Sequence, residues 1–352
     1  MAIVGSGSLA QAACRSLATA DPAAFGLDVM LIARNATAGR AACTVAGSLA
    51  ALAGRPVRFS YAAADLGDVA GLAEVLESVD PLGVLLCASY QSPWERLSAP
   101  SGWTALLGRA GFGLMLPLQA APAVGVGEAI TRACPSAWFV NACFPDAVNP
   151  VLAQLGVPVT CGAGNVAMLA AALASGLGIT EPSRLKVLAH HLHLHAPEGD
   201  EEEARAWVDD QPLDGVTSML VGLRATARSS LVDVAGASAA QVVTALITGH
   251  RLDAQVPGPL GLPGGYPVRV EAGSIALRLP EGLTEADAVA FNQRAAWRDG
   301  VVVADGQVTF SPTVSCELAR ELPGLADGFS VTDIASACDR LVELRARLRQ
   351  ET

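Results

Sequence analysis

The amino-acid sequence predicts an α/β protein, with an N-terminal doubly wound parallel sheet over residues 1–150 and a C-terminal α+β domain over residues 151–352. Three observations support this prediction. At 352 residues the chain has the length of about two domains. Short apolar runs alternate with helical patterns through the first 150 residues, as in parallel sheets whose strands are joined by helices. Beyond residue 150 this alternation gives way to paired strands and helices.

The first 150 residues contain five apolar runs of strand length, separated by helical patterns. The predicted strands cover residues 1–4, 27–32, 57–61, 83–87 and 137–141. The first predicted helix follows the first strand and ends near residue 20. The other predicted helices cover residues 36–53, 69–79, 103–109 and 114–131. Because parallel strands are joined by right-handed crossovers, this order predicts a doubly wound sheet.

The second half mixes paired strands with helices, which is typical of an α+β domain. The predicted strands cover residues 184–195, 204–208, 266–279 and 301–310, the last being a hairpin that turns at Asp305 and Gly306. The predicted helices cover residues 165–175, 216–228, 237–248, 284–296 and 331–349. The final helix is amphipathic.

Net charge and composition narrow the classes of partner. The chain contains 34 acidic and 23 basic residues, for a formal net charge of −11. Such a field repels nucleic acid and anionic membranes, so a small-molecule substrate is expected instead. Charged residues make up 16% of the chain and hydrophobic residues 51%, which excludes intrinsic disorder.

Several features indicate a cytoplasmic bacterial protein. The chain starts with an apolar strand, without the basic segment of a signal peptide. Two long uncharged stretches, 110–127 and 147–180, are interrupted by prolines and do not predict spanning helices. The eight cysteines are scattered without a CxxC, as expected of reduced thiols. One lysine against 22 arginines indicates a GC-rich bacterial genome.

A glycine-rich turn follows the first strand. The run Gly5-Ser6-Gly7-Ser8-Leu9-Ala10 matches the GxGxxA pattern that opens the first helix of a dinucleotide-binding Rossmann domain. In that pattern Gly5 permits the tight turn, Gly7 lets a pyrophosphate approach the backbone, and Ala10 lets the helix pack against the strand. The phosphates would bind at the helix N-terminus. A glycine turn without a ligand is the alternative.

The end of the second strand indicates which dinucleotide is bound. The residues there are Ala33, Arg34 and Asn35, at the place where the fold positions its ribose-reading side chain. NAD-specific sites normally have Asp or Glu here, whereas a guanidinium pairs with the 2′-phosphate of NADP. The sequence therefore favours NADP, with NAD as the other possibility, and makes Arg34 and Asn35 cofactor contacts. Arg34 could also lie at a solvated strand end.

The order of elements resembles the lactate/malate dehydrogenase-like superfamily, which includes the NAD-dependent family 4 glycosidases. Phe139-Val140-Asn141 and Val148-Asn149-Pro150 are similar to the Asn-Pro segment of those enzymes. The resemblance implies that Asn141 lies near the nicotinamide ribose and that Asn149 lies near the substrate. It also implies a homodimer.

One element departs from the family pattern. Gly164-Asn165 followed by a helix is similar to the element that supplies the catalytic Asp and Arg of the dehydrogenases. Here residues 166–172 contain neither. A carboxylate that orients a histidine and a guanidinium that binds a substrate carboxylate are therefore missing, which argues against ordinary 2-hydroxy-acid dehydrogenation.

Four of the five histidines lie together, at positions 190, 191, 193 and 195. The resemblance makes His193 the counterpart of the proton-relay histidine, with His191 next. An imidazole with a pKa of about 6.5 can give or take a proton near neutral pH. On a strand, His191, His193 and His195 would share one face. They could also pack or hydrogen-bond without chemistry.

The loop after the fourth strand, residues 88–96, lies where doubly wound folds bind ligands. Ala88 opens the loop and is an expected cofactor contact. In the dehydrogenases this loop closes over the substrate and can bring an arginine, so the resemblance makes Arg96 a candidate substrate contact.

A metal site is another possible use of the histidines. Family 4 glycosidases hold a metal through cysteine and histidine, and Cys161 would be the thiolate partner. Histidines at i, i+2 and i+4 span about 13 Å along a strand, too far to meet one ion unaided. We therefore assign no metal ligand.

Together these features predict an NADP-dependent oxidoreductase that reduces a carbonyl or imine of a small, specialised bacterial metabolite, with a histidine as proton donor. Two alternatives stay open. One is an NAD- and metal-dependent enzyme like the family 4 glycosidases. The other is a nucleotide-binding protein without catalytic activity, which the missing Asp and Arg would explain.

Overall fold

The computed structural model of the protein describes residues 1–21 and 26–351, with all of their side chains except that of Arg96. Six parallel strands form an N-terminal sheet. They are β1 (Ala2–Val4), β2 (Leu27–Ile32), β3 (Val57–Ala62), β4 (Gly83–Leu86), β5 (Trp138–Asn141) and β6 (Cys161–Gly162). The helices of this part are α1 (Ser8–Thr19), α2 (Ala36–Leu52), α3 (Val69–Val79), α4 (Glu95–Ser98), α5 (Gly102–Ala110), α6 (Leu116–Ala133), α7 (Pro145–Gln154) and α8 (Asn165–Leu177).

The strand order is β3-β2-β1-β4-β5-β6, and both faces of the sheet are buried. Along β1 and β4, Val4 and Leu86 point into one core, while Ile3 and Leu85 point into the other. Helices α3 and α6 cover the first face, and α1 and α2 cover the second. This is the doubly wound Rossmann arrangement, whose ligands bind at the carboxyl ends of the strands where the order reverses, between β1 and β4.

The elements predicted for the first 150 residues are confirmed. Strand β2 and helix α3 start and end at the expected residues, and the other predicted strands and helices differ from the observed ones by no more than two residues at either end. Strand β6 lies beyond these residues and pairs with β5 through Val140 and Cys161. With two residues it is too short to show a periodic pattern.

Three small antiparallel sheets and further helices form the C-terminal part. The strands are β7 (Leu185–Leu188), β8 (Arg205–Val208), β9 (Gln211–Pro212), β10 (Leu252–Pro257), β11 (Gly265–Glu271), β12 (Ser274–Leu277), β13 (Val301–Ala304), β14 (Gln307–Phe310) and β15 (Phe329–Ser330). The helices are α9 (Val216–Met219), α10 (Val221–Ala225), α11 (Val232–Thr248), α12 (Glu285–Asp299), α13 (Pro312–Glu321), α14 (Pro323–Ala326) and α15 (Ile334–Leu348). The hairpin at Asp305 and the α+β character are confirmed.

The prediction of a strand over residues 184–195 is wrong in its second half. Strand β7 ends at Leu188, and His191–Leu194 is a 3₁₀ helix, which we call the histidine turn. Imidazole rings satisfy its backbone locally, because the ring of His190 accepts from the N–H of Leu192 and the ring of His193 accepts from the N–H of His190. The histidines therefore do not share one face of a strand.

Two helical segments are long and apolar enough to cross a membrane, Phe112–Ala133 and Arg228–Thr248. Within the protein, 83% of the first and 50% of the second are buried. Helix α6 packs on α3 and α15, and α11 packs on α1. Core helices of globular proteins have the same properties, so these segments are weak indications of a membrane span.

Candidate active site

A cleft of about 1040 Å³ opens at the carboxyl ends of β1, β2, β4 and β5. This is the place where a doubly wound sheet binds its ligands. The cleft is lined by residues 5–9, 32–35, 64–66, 87–94, 107–112 and 142–144, and by side chains of the histidine turn, of α11 and of the end of α12. The glycine turn and the histidine turn therefore face the same space.

The glycine turn has the shape that a pyrophosphate needs. Gly5 has a φ of +123°, and a Cβ there would lie 2.9 Å from the carbonyl carbon and oxygen of Cys87, so only glycine fits. Gly7 precedes α1 with an ordinary φ of −71°, and a Cβ there would meet nothing within 4 Å. The N-cap residue of α1 is Gly7 itself, which has no side chain with which to cap the helix. The open space at Gly7 and the uncapped helix fit a phosphate group.

Of the other residues of the glycine pattern, some line the cleft and one lies in the core. Ser6, Ser8 and Leu9 line the cleft, whereas Ala10 is fully buried in the core beneath α1. The indole Nε1 of Trp94 donates to the Oγ of Ser8 over 3.3 Å. The loop after β4 therefore reaches across the cleft to the start of α1.

The C-terminal helix holds this loop in place. Arg349 donates two hydrogen bonds to the carboxylate of Glu95, of 2.7 and 2.6 Å, and Arg345 donates to the backbone oxygen of Tyr90. The side chain of Gln91 donates to the same carboxylate. Glu95 is 8% exposed, so its charge depends on Arg349. Ala88, at the start of the loop, lines the cleft as expected.

Arg34 lines the cleft at the end of β2, where a ribose-reading side chain is expected. Its side chain is 73% exposed and lies 3.5 Å from the carboxylate of Asp65. Asn35 also lines the cleft, but its side chain accepts from the N–H of Ala38 and caps α2. The guanidinium of Arg34 is thus exposed to the cleft beside Asp65, while the amide of Asn35 already caps the helix.

Neither asparagine of the Asn-Pro resemblance lines the cleft. Asn141 and Asn149 are fully buried, and the amide of Asn141 donates to the Oδ1 of Asn149 over 2.9 Å. Asn149 donates in turn to the backbone oxygen of Gly258 over 2.8 Å. The two side chains form a buried bridge from β5 to the loop after β10.

His191 is the histidine best placed for acid–base chemistry. Its Nδ1 lies 2.9 Å from a carboxylate oxygen of Asp299, the last residue of α12, and both residues line the cleft. The imidazole stacks on Phe112 with ring centres 4.1 Å apart, and Phe144 approaches at 5.7 Å. The hydrogen bond and the stacking fix the ring, which leaves Nε2 for a ligand.

His191 and Asp299 each stabilise the charged form of the other. Burial lowers the pKa of His191, but the charge of Asp299 and its hydrogen bond outweigh burial and raise that pKa above 6.5. Burial raises the pKa of Asp299, and the charge of His191, its hydrogen bond and the neighbouring histidines lower it overall. The pair therefore favours an imidazolium beside a carboxylate.

A second carboxylate holds the backbone of the turn. Asp146, in the first turn of α7, is 1% exposed and accepts from the N–H of His191 over 2.9 Å. The side chain of Asn165, at the start of α8, donates to the same carboxylate. Asn165 opens the element that resembles the one carrying the catalytic Asp and Arg of the dehydrogenases, and that has neither residue here. Here the element supports the position of His191 through Asp146.

The structure places His193 outside the cleft. The ring is 2% exposed, its Nε2 lies 2.9 Å from the backbone oxygen of Glu202, and it stacks on Phe291. Burial, with the charge of His190, lowers the pKa of His193 to about 4. Both ring nitrogens are engaged with backbone groups. Of the two histidines proposed as proton donors, His191 alone borders the cleft.

The two further candidates are Arg96 and Cys161. The side chain of Arg96 lies outside the part of the chain that the structure describes. Cys161 is fully buried in the core between α1 and the sheet, and burial raises the pKa of its thiol to about 12. Among the described residues, no group of three or more His, Cys, Asp or Glu side chains could hold a metal ion.

No sequence pattern pointed to Asp299 or Asp146. Asp299 carries one local signal, because an acidic residue directly before the glycine that ends a helix meets the negative end of the helix dipole. Such a carboxylate needs a nearby cation. That signal identifies an unusual acid but not its partner.

Comparisons with known proteins identify the fold. No protein-family model and no curated protein matches the sequence. A malate dehydrogenase from Salinibacter ruber superposes with a TM-score of 0.53 at 12% identity, over 98% of each chain. A lactate dehydrogenase from Eimeria maxima, solved with NADH and oxamate, superposes with a TM-score of 0.53 at 14% identity, over 84% of this chain and 89% of that chain.

The resemblance inferred from the order of elements is therefore confirmed at the level of the fold. At 12% and 14% identity, the comparison carries the architecture and not the chemistry of individual residues. The chain has a lactate/malate dehydrogenase-like fold.

Proposed function

We propose that the protein is a nicotinamide-dependent oxidoreductase that reduces a carbonyl or imine of a small, specialised metabolite, with His191 as proton donor. The observation that supports this most is the His191–Asp299 pair, which faces the same cleft as a glycine turn shaped for a pyrophosphate. When bound, the nicotinamide supplies hydride transfer, which amino-acid side chains do not.

His191 would hold and deliver the proton at Nε2. Asp299 stabilises the imidazolium, whose Nε2 proton can pass to a developing alkoxide or amine. In the direction of oxidation the neutral ring accepts a proton from a hydroxyl group. Phe112 covers one face of the ring and keeps water from it. This role stands in place of the one expected for His193.

The cofactor would be held by the glycine turn and by Arg34. Gly7 and the start of α1 suit the pyrophosphate, and the exposed guanidinium of Arg34 suits the 2′-phosphate of NADP. NAD is the alternative, because Asp65, beside Arg34, can accept hydrogen bonds from ribose hydroxyls. The Eimeria maxima enzyme was solved with NADH.

Titration with NADPH and NADH, followed by cofactor fluorescence, tests this proposal. We expect tighter binding of NADPH, and we expect Arg34→Ala to weaken that binding about tenfold with little effect on NADH. Arg58→Ala is the matched control, because Arg58 also forms an exposed ion pair but lies outside the cleft lining. Tighter binding of NADH would overturn the choice of NADP. Failure to bind either nucleotide would overturn the proposal that the protein is an oxidoreductase.

The remaining parts of the proposal concern partners and location. We propose a cytoplasmic homodimer with a small-molecule substrate and no nucleic-acid or membrane partner. The exposed apolar side chains on α2, Val45 at 50% and Leu52 at 86%, support a protein contact at that helix. Sedimentation velocity of the wild type and of Leu52→Glu tests the dimer.

A further inference from the structure

Trp94 lies near the end of the loop that follows β4. Its indole is half-buried, lines the cleft, and donates from Nε1 to the Oγ of Ser8 over 3.3 Å. Ser8 is the first residue of α1 and is next to the open space at Gly7. The indole N–H is therefore directed at the start of α1, where the proposed function places the pyrophosphate of the cofactor.

The backbone of Trp94 is fixed on both sides. Its N–H donates to the Oγ of Ser92 over 3.2 Å, and its backbone oxygen accepts from the N–H of Leu97 over 3.0 Å. The next residue, Glu95, accepts two hydrogen bonds from Arg349 of the C-terminal helix. The position of the indole thus follows from contacts within the protein.

Gln91 anchors the middle of the same loop and is fully buried. Its Oε1 accepts from the indole Nε1 of Trp103 over 3.0 Å and from Arg345 over 3.3 Å. Its Nε2 donates to Glu95 over 2.9 Å, and its backbone oxygen accepts from Gln119 over 3.1 Å. Because these bonds connect the loop to α5, α6 and α15, we expect it to keep its place when a ligand enters the cleft.

A phosphate oxygen is a stronger acceptor for the indole than the hydroxyl of Ser8. Hydrogen bonds to a charged acceptor are about twice as strong as those between neutral groups. The bond from Trp94 to Ser8 is 3.3 Å long, which is more than the usual N–H···O distance. Ser8 is exposed, so water can replace the indole at its hydroxyl. Exchanging Ser8 for a phosphate oxygen therefore favours the bound state.

We infer that Trp94 binds the pyrophosphate of the cofactor, with its Nε1–H donating to a phosphate oxygen in place of Ser8, while the loop stays where α15 holds it. The inference rests on the proposed function for the identity of the cofactor, but the phosphate contact can be measured without any reaction. The glycine pattern alone does not indicate this contact, because Trp94 lies 86 residues after Ser8.

Proton–nitrogen NMR of the isotope-labelled, full-length protein tests the inference, with ADP and NADPH as ligands. ADP carries a pyrophosphate but no nicotinamide. The five tryptophans give five indole N–H signals, of which Trp94→Phe and Trp103→Phe identify the two that matter. We expect both ligands to move the Trp94 signal to lower field, because its hydrogen bond becomes stronger. The Trp103 signal should stay in place, because its bond to Gln91 lies within the fixed loop.

Titration calorimetry of two variants measures what the contact contributes. Trp94→Phe keeps an aromatic ring but has no N–H, so its affinity for ADP and for NADPH should fall about tenfold. Trp297→Phe is the matched control, because Trp297 is 42% exposed on α12 and does not line the cleft. The control should bind both ligands as the wild type does. Thermal melting of each variant confirms that it folds.

Each outcome decides the inference. A Trp94 signal that stays in place when ADP or NADPH binds, or an unchanged affinity in a folded Trp94→Phe, would overturn it. A Trp103 signal that moves as far as that of Trp94 would show that the loop rearranges, and would overturn the fixed position.

Failure of the inference and failure of the proposed function give different results. If ADP binds through Trp94 but neither NADPH nor NADH binds, the oxidoreductase proposal fails and the phosphate contact stands. If NADPH binds and the Trp94 signal stays in place, the contact fails and the oxidoreductase proposal stands. Wild-type protein that binds none of the three ligands would overturn both.

Discussion

The carboxylate of Asp299 lies 2.9 Å from Nδ1 of His191, across 108 residues of sequence. Asp299 is the last residue of α12 and is 7% exposed, so both burial and the helix dipole oppose its negative charge. His190, His191 and His195 surround it and lower its pKa. The histidine turn and the end of α12 therefore stabilise each other's charges.

Replacing Asp299 by Asn should remove the charge that raises the pKa of His191. Carbonyl reduction needs the imidazolium, so activity should fall as the pH rises through that pKa. In Asp299→Asn this fall should move to lower pH, and kcat/KM at neutral pH should drop by about 10²-fold. The measurement is the pH profile of kcat/KM on a carbonyl or imine substrate that the wild type reduces. A profile identical to that of the wild type would exclude Asp299 from the mechanism.

The two glycines of the turn should respond differently to a side chain. Gly7→Val places its side chain in open space, so the melting temperature should stay near that of the wild type while NADPH affinity falls at least tenfold. Gly5→Ala combines a φ of +123° with a contact on the backbone of Cys87 and should destabilise the fold by about 1–3 kcal/mol. Urea unfolding and cofactor titration of both variants test this contrast. Equal loss of stability in both would contradict it.

Acid should destabilise the protein through His193. Its pKa in the folded protein is about 4, against 6.5 ordinarily, so the unfolded chain binds more protons between these values. The stability that neutral His193 contributes is complete above pH 6.5 and is lost as the pH falls toward 4. The loss from this residue between pH 7 and pH 5 should be about 2 kcal/mol.

Urea unfolding of the wild type and of His193→Asn at both pH values measures this contribution. The variant should start less stable at pH 7 but lose less stability on acidification. A wild type and variant with the same difference between pH 7 and pH 5 would show that His193 does not carry the effect.

Arg349→Met should loosen the loop over the cleft. The change leaves the buried carboxylate of Glu95 without its cation, which should cost about 1–2 kcal/mol because Arg349 itself is 44% exposed. Amide exchange between residues 95 and 99 should become faster. Arg347→Met, two residues earlier, removes pairs with Glu321 and Glu351 and should cost less than about 0.5 kcal/mol. Equal protection of the loop in both variants would argue against a holding role for Arg349.

The fold could be predicted because its signals are local. The alternation of Ile3 and Val4 between two cores, the glycine turn, and the Asp305 hairpin each depend on a few adjacent residues. The prediction of a strand through the histidines was wrong for a physical reason. Apolar and imidazole side chains alternate there, but the rings of His190 and His193 bond to the backbone and fold it into a 3₁₀ turn.

The site could be predicted only in part. Gly7 and Arg34 are found from their place beside strand ends, and both line the cleft. The acids that serve His191 come from α7 and α12, and their approach depends on how the C-terminal part packs on the sheet. Sequence spacing carries no information on such packing. For the same reason the choice between His191 and His193 required the structure.

The origin of the acid that meets His191 affects how relatives of this chain can be recognised. A search pattern written along the sequence expects the acid at a fixed distance from the histidine, and that distance changes when another segment supplies it. A three-dimensional template keeps the same form: an imidazole stacked on a phenyl ring, a carboxylate at its Nδ1, and the mouth of a parallel sheet. Such a template would group this chain with proteins that share its chemistry and not its order of residues.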